Sequence, residues 1–289
     1  MHSENSGATA VVANVSDTAR WAAAYRAMES ARPDALFRDP LAERLAGAMG
    51  MAMTARTPLP ARNGWPIILR TKVIDDWIME SVAAGCDGVL NLAAGLDTRP
   101  YRLPLPAALD WIEVDLPAMI EEKTRALAGS APLCRLSRRA VDLSDARARK
   151  ELLDDILSRH GRLLVITEGL LMYLDDAGVA SLARDLCRPG VESWVFDILS
   201  PAVRNDIMRA MKRELKQAPM HFAPSDGVAF FERLGWTVRD VRSALQEAHR
   251  AKRLPMLLHL LASLPLPVPD PRKLGRARWS GIVRLTRAA

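Results

Sequence analysis

Several common protein classes are excluded by what this chain has little of. Only three of its 289 residues are cysteine. Cys86, Cys134 and Cys187 are scattered, odd in number and far from metal-ligand spacing, so neither a disulfide framework nor a metal site is expected. Three reduced structural thiols in a cytoplasmic protein are the expectation instead. No window is long and apolar enough for a transmembrane helix. The longest apolar stretch, "LPMLLHLLASLPLPV" at 254–268, is broken by Pro255, Pro265 and Pro267. The opening "MHSENSGATA" lacks a basic region followed by an apolar one, so no signal peptide is expected. Lysine is scarce as well: 7 lysines stand against 33 arginines in a net charge of +6. A basic balance raises the question of nucleic acid. The arginines are spread along the chain, with only short clusters such as Arg138-Arg139, which argues against that partner.

Apolar residues make up 49% of the chain, enough for a sizeable core, and the length suits one domain with an attached cap. The expected organisation is a single domain over 1–289. It comprises a loose tail over 1–15, a helical cap over 16–85, a ligand-binding core over 86–200, and a region of helices, a proline-rich insertion and final strands over 201–289. In the cap, "TARWAAAYRAMES" follows a Ser16-Asp17 cap signal, "PLAERLAGAMG" should end at Gly47 or Gly50, and "PIILRTKVIDDWIMESVAAG" opens on a proline. From residue 88 the pattern changes. "GVLNLA", "LDWIEVD", "RRAVDL", "RLLVITEG" and "ESWVFDIL" read as strands separated by helical segments. Such alternation predicts an α/β fold with a mostly parallel sheet and helices on both faces. "FFERLGWTVRDV" and "SGIVRLTR" supply later strands.

Glycine is missing where it would matter most for a phosphate site. "NLAAGLDTRPYRL", after the first predicted strand, holds Gly95 alone where a dinucleotide loop carries G-x-G-x-x-G. That argues against a nicotinamide dinucleotide. Instead, acids stand at the predicted strand ends: Glu113 and Asp115, then Asp142, Glu168 and Asp197. Acids repel phosphate and suit hydroxyls, amino groups and a positive centre. Asp115 lies 20 residues after Gly95, the spacing of an acid that accepts from ribose hydroxyls. A ribose, an amine-bearing base and a sulfonium together describe S-adenosylmethionine.

The chain resembles the leucine carboxyl methyltransferase family, in its bacterial branch of S-adenosylmethionine-dependent O-methyltransferases. The resemblance rests on "TARWAAAYRAMES", "DPLAERLAG", "LRTKVIDDW", "LNLAAGLDTRPYRL", "WIEVDLPAMIEEK", "VDLSD" and "TEGLLMYL", in order from about residue 16 to 176, with "FFERLGW" later. It implies a class I methyltransferase, Rossmann-like fold whose seven-stranded sheet has an antiparallel last strand. It also implies roles in holding the cofactor. Arg70 would pair with the methionine carboxylate, Gly95 would lie against the cofactor, and Asp115 would take the ribose. Asp142 and Leu143 would flank the adenine, Glu168 would sit near the methionine amino group, and Tyr173 would help position the substrate. Ala93 and Ala94 stand where many members of the family have a Gly-Ala pair. The N-terminal part matches the bacterial branch rather than the phosphatase methylators, so a small-molecule acceptor is implied. A protein or RNA methyltransferase, or a cofactor-binding protein without turnover, are the alternatives.

A carboxylate acceptor is ionised at neutral pH and needs no base, whereas a phenol needs one. His221, in "PMHFAPSDG", is the candidate base on the acceptor side, with Tyr173 the other catalytic candidate. His160 reads as structural, and His249 and His259 have no metal spacing. The apolar insertion over 254–268 would line an acceptor pocket, form a lid or pack on the sheet edge. Trp21, Tyr25 and Met28 would cover the cofactor site or face the core. The oligomeric state is not written in the sequence.

Overall fold

The computed structural model describes residues 15–58, 61–212, 215–265 and 267–288. The expected loose tail, apart from residue 15, lies outside the described residues. Two helices, α1 (Val15–Ser30) and α2 (Ala42–Arg56), pack on each other ahead of α3 (Trp65–Ala83). Then come β1 (Gly88–Leu92), α4 (Arg99–Arg102), β2 (Asp110–Asp115), α5 (Pro117–Ala126), β3 (Arg135–Ala140), α6 (Ala146–Leu157) and β4 (Leu163–Thr167). A 3-10 turn at Leu171–Tyr173 leads to α7 (Asp176–Leu186), β5 (Val191–Leu199), α8 (Pro201–Ala210), α9 (Ala229–Glu232) and β6 (Trp236–Ser243). The chain closes with α10 (Ala244–Arg250), α11 (Met256–Ala262) and β7 (Ser280–Arg287).

The seven strands form one sheet in the order β3-β2-β1-β4-β5-β7-β6, with β7 antiparallel to both neighbours. This is the class I arrangement implied above. The central strands β1 and β4 are buried along their whole length, as a sheet covered on both faces requires. Alternate residues serve opposite faces. Leu90, Leu92 and Val165 join a core with Leu153 of α6 and Leu182 of α7, whereas Val89, Leu164 and Ile166 join one with Ile74 and Trp77 of α3. The chain works outward from β1 to β3 and then returns to β4. The resulting switch point, between β1 and β4, opens a crevice at the C-terminal strand ends.

Two expectations need correction. The third strand covers Arg135–Ala140, not 138–143, because it pairs in register with β2, from Asp110↔Arg135 to Asp115↔Ala140. As an edge strand with mostly exposed side chains it has no apolar alternation to mark it, and the apolar Val141 and Leu143 follow its end. The second helix passes both glycines to Arg56. Gly47, at φ 57°, breaks it and the chain re-enters the helix; Gly50 is a close-packing residue, since a Cβ there would stand 2.5 Å from the Arg20 carbonyl oxygen of α1. Within the proline-rich insertion the chain forms a helix, α11.

An aromatic cluster anchors one core. The Trp194 ring lies 4.6 Å from Phe196, 5.4 Å from Phe231 and 5.3 Å from Trp236, and its Nε1 donates to Thr167 Oγ1 at 2.9 Å. Trp194→Ala should therefore cost about 3–5 kcal/mol in urea denaturation, with a loss below about 1 kcal/mol contradicting this packing.

Candidate active site

At the end of β1 the chain turns sharply. Ala93 has φ 54° and Gly95 φ 45°, and the turn is held from β2: the Ala94 N–H donates to the Val114 carbonyl at 3.1 Å. The Gly95 N–H donates to Asp115 Oδ2 at 2.7 Å, while Asp115 Oδ1 accepts from its neighbour Leu116 at 2.8 Å. A Cβ on Gly95 would meet the Ala19 Cβ of α1 at 3.2 Å. Glycine is thus fixed here by the positive φ and by the helix lying over the loop. Burial pushes the Asp115 carboxyl up. Asp97 Oδ1 accepts from the Arg99 N–H at 2.8 Å, which satisfies the first N–H of α4.

A cavity of about 660 Å³ opens at these strand ends. Arg70, Gly95, Asp115, Asp142, Leu143, Glu168 and Tyr173 all line it, so the structure brings the expected cofactor-binding set and one catalytic candidate together. Asp197 lines it too, but Glu113 does not. Two residues before the end of β2, Glu113 is fully buried between Lys123 at 2.7 Å and Arg138 at 2.9 Å. Asp142 is exposed and accepts from the Ser144 backbone and hydroxyl, which holds its carboxyl below the usual range.

The acids of the cavity wall are wired to arginines. Arg70 donates from Nε to Glu168 Oε1 at 2.8 Å and from Nη1 to Asp197 Oδ2 at 3.0 Å. Glu168 Oε2 accepts from Arg99 Nη1 at 2.7 Å, and that nitrogen also meets Asp97 at 2.7 Å. Asn91 Nδ2 adds a donor to Asp97. Arg99 Nε reaches Asp75 at 2.7 Å, Asp75 pairs with Arg102, and Arg102 approaches Asp39, which pairs with Arg26. The connected set holds Arg26, Arg70, Arg99 and Arg102 against Asp39, Asp75, Asp97, Glu168 and Asp197. That is four positive charges against five negative, one negative charge in excess. Burial opposes ionisation of Asp97, Glu168 and Asp39, yet neighbouring arginines hold all three carboxyls below their usual range.

Arg99, Asp97, Asn91 and Asp75 were not foreseen as part of this wiring. A signal for Arg99 existed: acids on adjacent strand ends need buried cations, and "LDTRPYR" supplies them at the loop itself. Other expectations fail on location. His221 is exposed and does not line the cavity; its backbone is what the fold uses, with N–H to the Met172 carbonyl and C=O from Arg204. No described residue of the insertion over 254–268 lines the cavity, and Met256, Leu257 and Leu260 stand exposed. Trp21 and Tyr25 do line it, whereas Met28 borders a second cavity of about 220 Å³. His160 is buried near Asp87 and Asp110, and His249 stacks on His259 at 4.3 Å. Among the described residues no metal-binding group occurs, and no helix is long and apolar enough to cross a membrane.

These depressed carboxyls make stability pH-dependent. A group whose pKa is lowered on folding stabilises the fold above its unfolded value, about 4, and loses that contribution as pH falls through its folded value. Urea unfolding between pH 6 and 2.5 should show stability falling below about pH 4. Asp97→Asn should be less stable at pH 6 by about 3–5 kcal/mol, with a shallower acid decline; an unchanged acid slope would contradict the wiring.

Comparison with known proteins agrees with this geometry. A family model described as leucine carboxyl methyltransferase matches residues 19–187. A Streptomyces coelicolor protein, provisionally named an S-adenosyl-L-methionine-dependent methyltransferase, is 38% identical over 184 residues, 58% of this chain and 62% of that protein. A Mycobacterium protein with the same provisional name is 36% identical over 178 residues, so the chain spans about 60% of the length of these relatives. A Frankia alni protein, again so named, is 32% identical over 268 residues, 84% of this chain and 90% of that one. Among solved structures, a provisionally assigned methyltransferase from Thermobifida fusca superposes with a TM-score of 0.57 at 17% identity, covering 93% of this chain and 94% of that one. A duf574 family protein from Streptomyces avermitilis gives 0.56 at 14% identity, covering 92% and 96%. Those two share the fold. By the matched model and the length of the Frankia match, the chain belongs to the leucine carboxyl methyltransferase family.

Proposed function

We propose that this protein is an S-adenosylmethionine-dependent O-methyltransferase acting on a small molecule of secondary, polyketide-like metabolism, with a carboxylate or phenolic hydroxyl as acceptor. One observation carries the reading. Acids at the ends of β2, β3, β4 and β5 line the crevice between β1 and β4, and the buried ion set that holds two of them, Glu168 and Asp197, is one positive charge short. A pyrophosphate would be repelled there, while a ligand with an ammonium, a sulfonium and one carboxylate brings the single net positive charge that completes the balance. The names of the relatives point the same way.

When bound, the cofactor supplies an electrophilic methyl group on sulfur. The chain's own residues bind, orient and exclude water. Asp115 has one lone pair left on each carboxylate oxygen after the Gly95 and Leu116 N–H groups, enough for two ribose hydroxyls. Arg70 commits Nε and Nη1 to acids; with five N–H donors in a guanidinium, it keeps others for a carboxylate. Asp142 and Leu143 would flank the adenine, and Glu168 would face the amino group. Tyr173 is bound to the Thr18 side chain, and burial pushes its phenol up, so it acts as a neutral positioning group. Among the described residues no histidine or lysine lines the cavity. That favours the carboxylate acceptor, which needs no base.

Calorimetric titration with S-adenosylmethionine tests the reading. Asp115→Ala should weaken binding about tenfold or more, the loss of a charged hydrogen bond, and unchanged affinity would remove Asp115 from the ribose. Because burial raises the Asp115 pKa and ribose hydroxyls donate to the ionised form, affinity should fall with decreasing pH, starting above the ordinary aspartate value near 4. Asp115→Asn should lack that limb; an identical pH dependence would assign the titration to another group.

A further inference from the structure

We infer that the methyl acceptor is an apolar molecule held in a methionine- and aromatic-lined arm of the same cavity, with Ile207 and Ala210 setting its size; the inference rests on the methyltransferase reading above. Part of the wall is formed by Trp21, Tyr25, Tyr173, Ile207, Met211 and Met220, with Tyr173 standing in the field of Arg70 and Asp197. Five of these, all but Tyr25, pack into an apolar cluster around Met53 and Leu215 that is separate from the two cores supporting the sheet. That cluster therefore shapes the cavity rather than holding the sheet together.

The arm has few groups for a polar guest, the exception being the buried Trp21 N–H, which has no hydrogen-bond partner among the described residues. The Tyr25 hydroxyl donates to Thr57 Oγ1 at 2.6 Å, and that of Tyr173 is engaged by Thr18. Its charged residue is Asp206, half-exposed and paired with Arg278 at 2.8 Å. A polar acceptor body would lose its water and gain few partners, which costs free energy. An apolar one would cover side chains that the fold leaves partly open. The clearest sign is α8: none of its residues is fully buried, although Ile207 and Met208 pack on the cluster and Ile207 and Ala210 line the cavity. Met211 and Met220 are unbranched and polarisable, so the wall can adapt to flat rings or to a bent alkyl chain. Ala210, small and at the end of α8, is where added bulk would shorten the arm.

The test is calorimetric, on the full chain loaded with S-adenosylhomocysteine, using 1-naphthoate and decanoate as apolar acids and succinate as the polar control. The apolar acids should bind once per chain, at least tenfold more tightly than succinate. Ala210→Trp should weaken 1-naphthoate at least tenfold while S-adenosylhomocysteine affinity stays within twofold. Ile207→Ala, which shortens a side chain without crowding the fold, should shift preference toward bulkier acids. Equal binding of succinate, no binding of either apolar acid, or an unaltered 1-naphthoate affinity in Ala210→Trp would each overturn the inference. Failure of the wild-type chain to bind S-adenosylhomocysteine at all would instead overturn the methyltransferase reading beneath it.

Discussion

A chain of buried ion pairs sets the shape of the cavity. It runs from Arg26 of α1 through Asp39, Arg102, Asp75, Arg99 and Glu168 to Arg70 and Asp197, and so ties α1, α3, α4 and the ends of β4 and β5 into one wall. Taking each ion out of water costs several kcal/mol, returned only where geometry is good and the remaining hydrogen-bonding groups are satisfied. Here every contact but one lies at 3.0 Å or less, and Asn91, Thr98 and the Gly169 N–H satisfy further lone pairs on Asp97, Asp39 and Asp197; the exception is the Arg102–Asp39 link, which at 4.0 Å leaves Arg102 Nε without a hydrogen-bond partner among the described residues. The set gives rigid acids at fixed positions and holds one acid more than it has arginines beside the open space.

The loop after β1 depends on that wall and on its cover. Ala93 sits in the left-handed region at a cost of roughly 1–2 kcal/mol. The strain persists because the residues around it are over-determined: Ala94 is bonded to β2, Gly95 to Asp115, and the Leu96 carbonyl accepts from Arg26 at 2.6 Å. The same arginine that begins the ion chain thus clamps the loop from α1. Sequence, local backbone and site chemistry meet in four residues, and a glycine at position 93 would relieve the strain that Ala93 retains.

Much of this could be read from the residues. Alternating apolar runs located the strands to within a few positions, except at the edge strand β3, where three arginines in six residues, the exposed Arg135 and Arg139 on one face and the partly buried Arg138 on the other, hide the period. The acids gathered at the cavity were visible because consecutive strands ended in them. Their partners were not, since a pattern of strand ends says nothing about which arginine folds back between them, and Arg99 and Arg102 look like ordinary residues of a short helix. Glu113 and Asp115 look equivalent in sequence; only packing of Lys123 from α5 separates a buried structural acid from a cavity acid. His221 and the apolar insertion were placed by chain position, and position in the chain did not carry over into position in space.

On the proposed function, this strand-end crevice, one positive charge short, receives a cationic, phosphate-free nucleoside and not a dinucleotide. Parallel calorimetric titrations of the wild-type chain with S-adenosylmethionine and with oxidised nicotinamide adenine dinucleotide distinguish the two. Saturable one-to-one binding of S-adenosylmethionine is expected, with no measurable heat from the dinucleotide. Dinucleotide binding as tight as that of S-adenosylmethionine would contradict it.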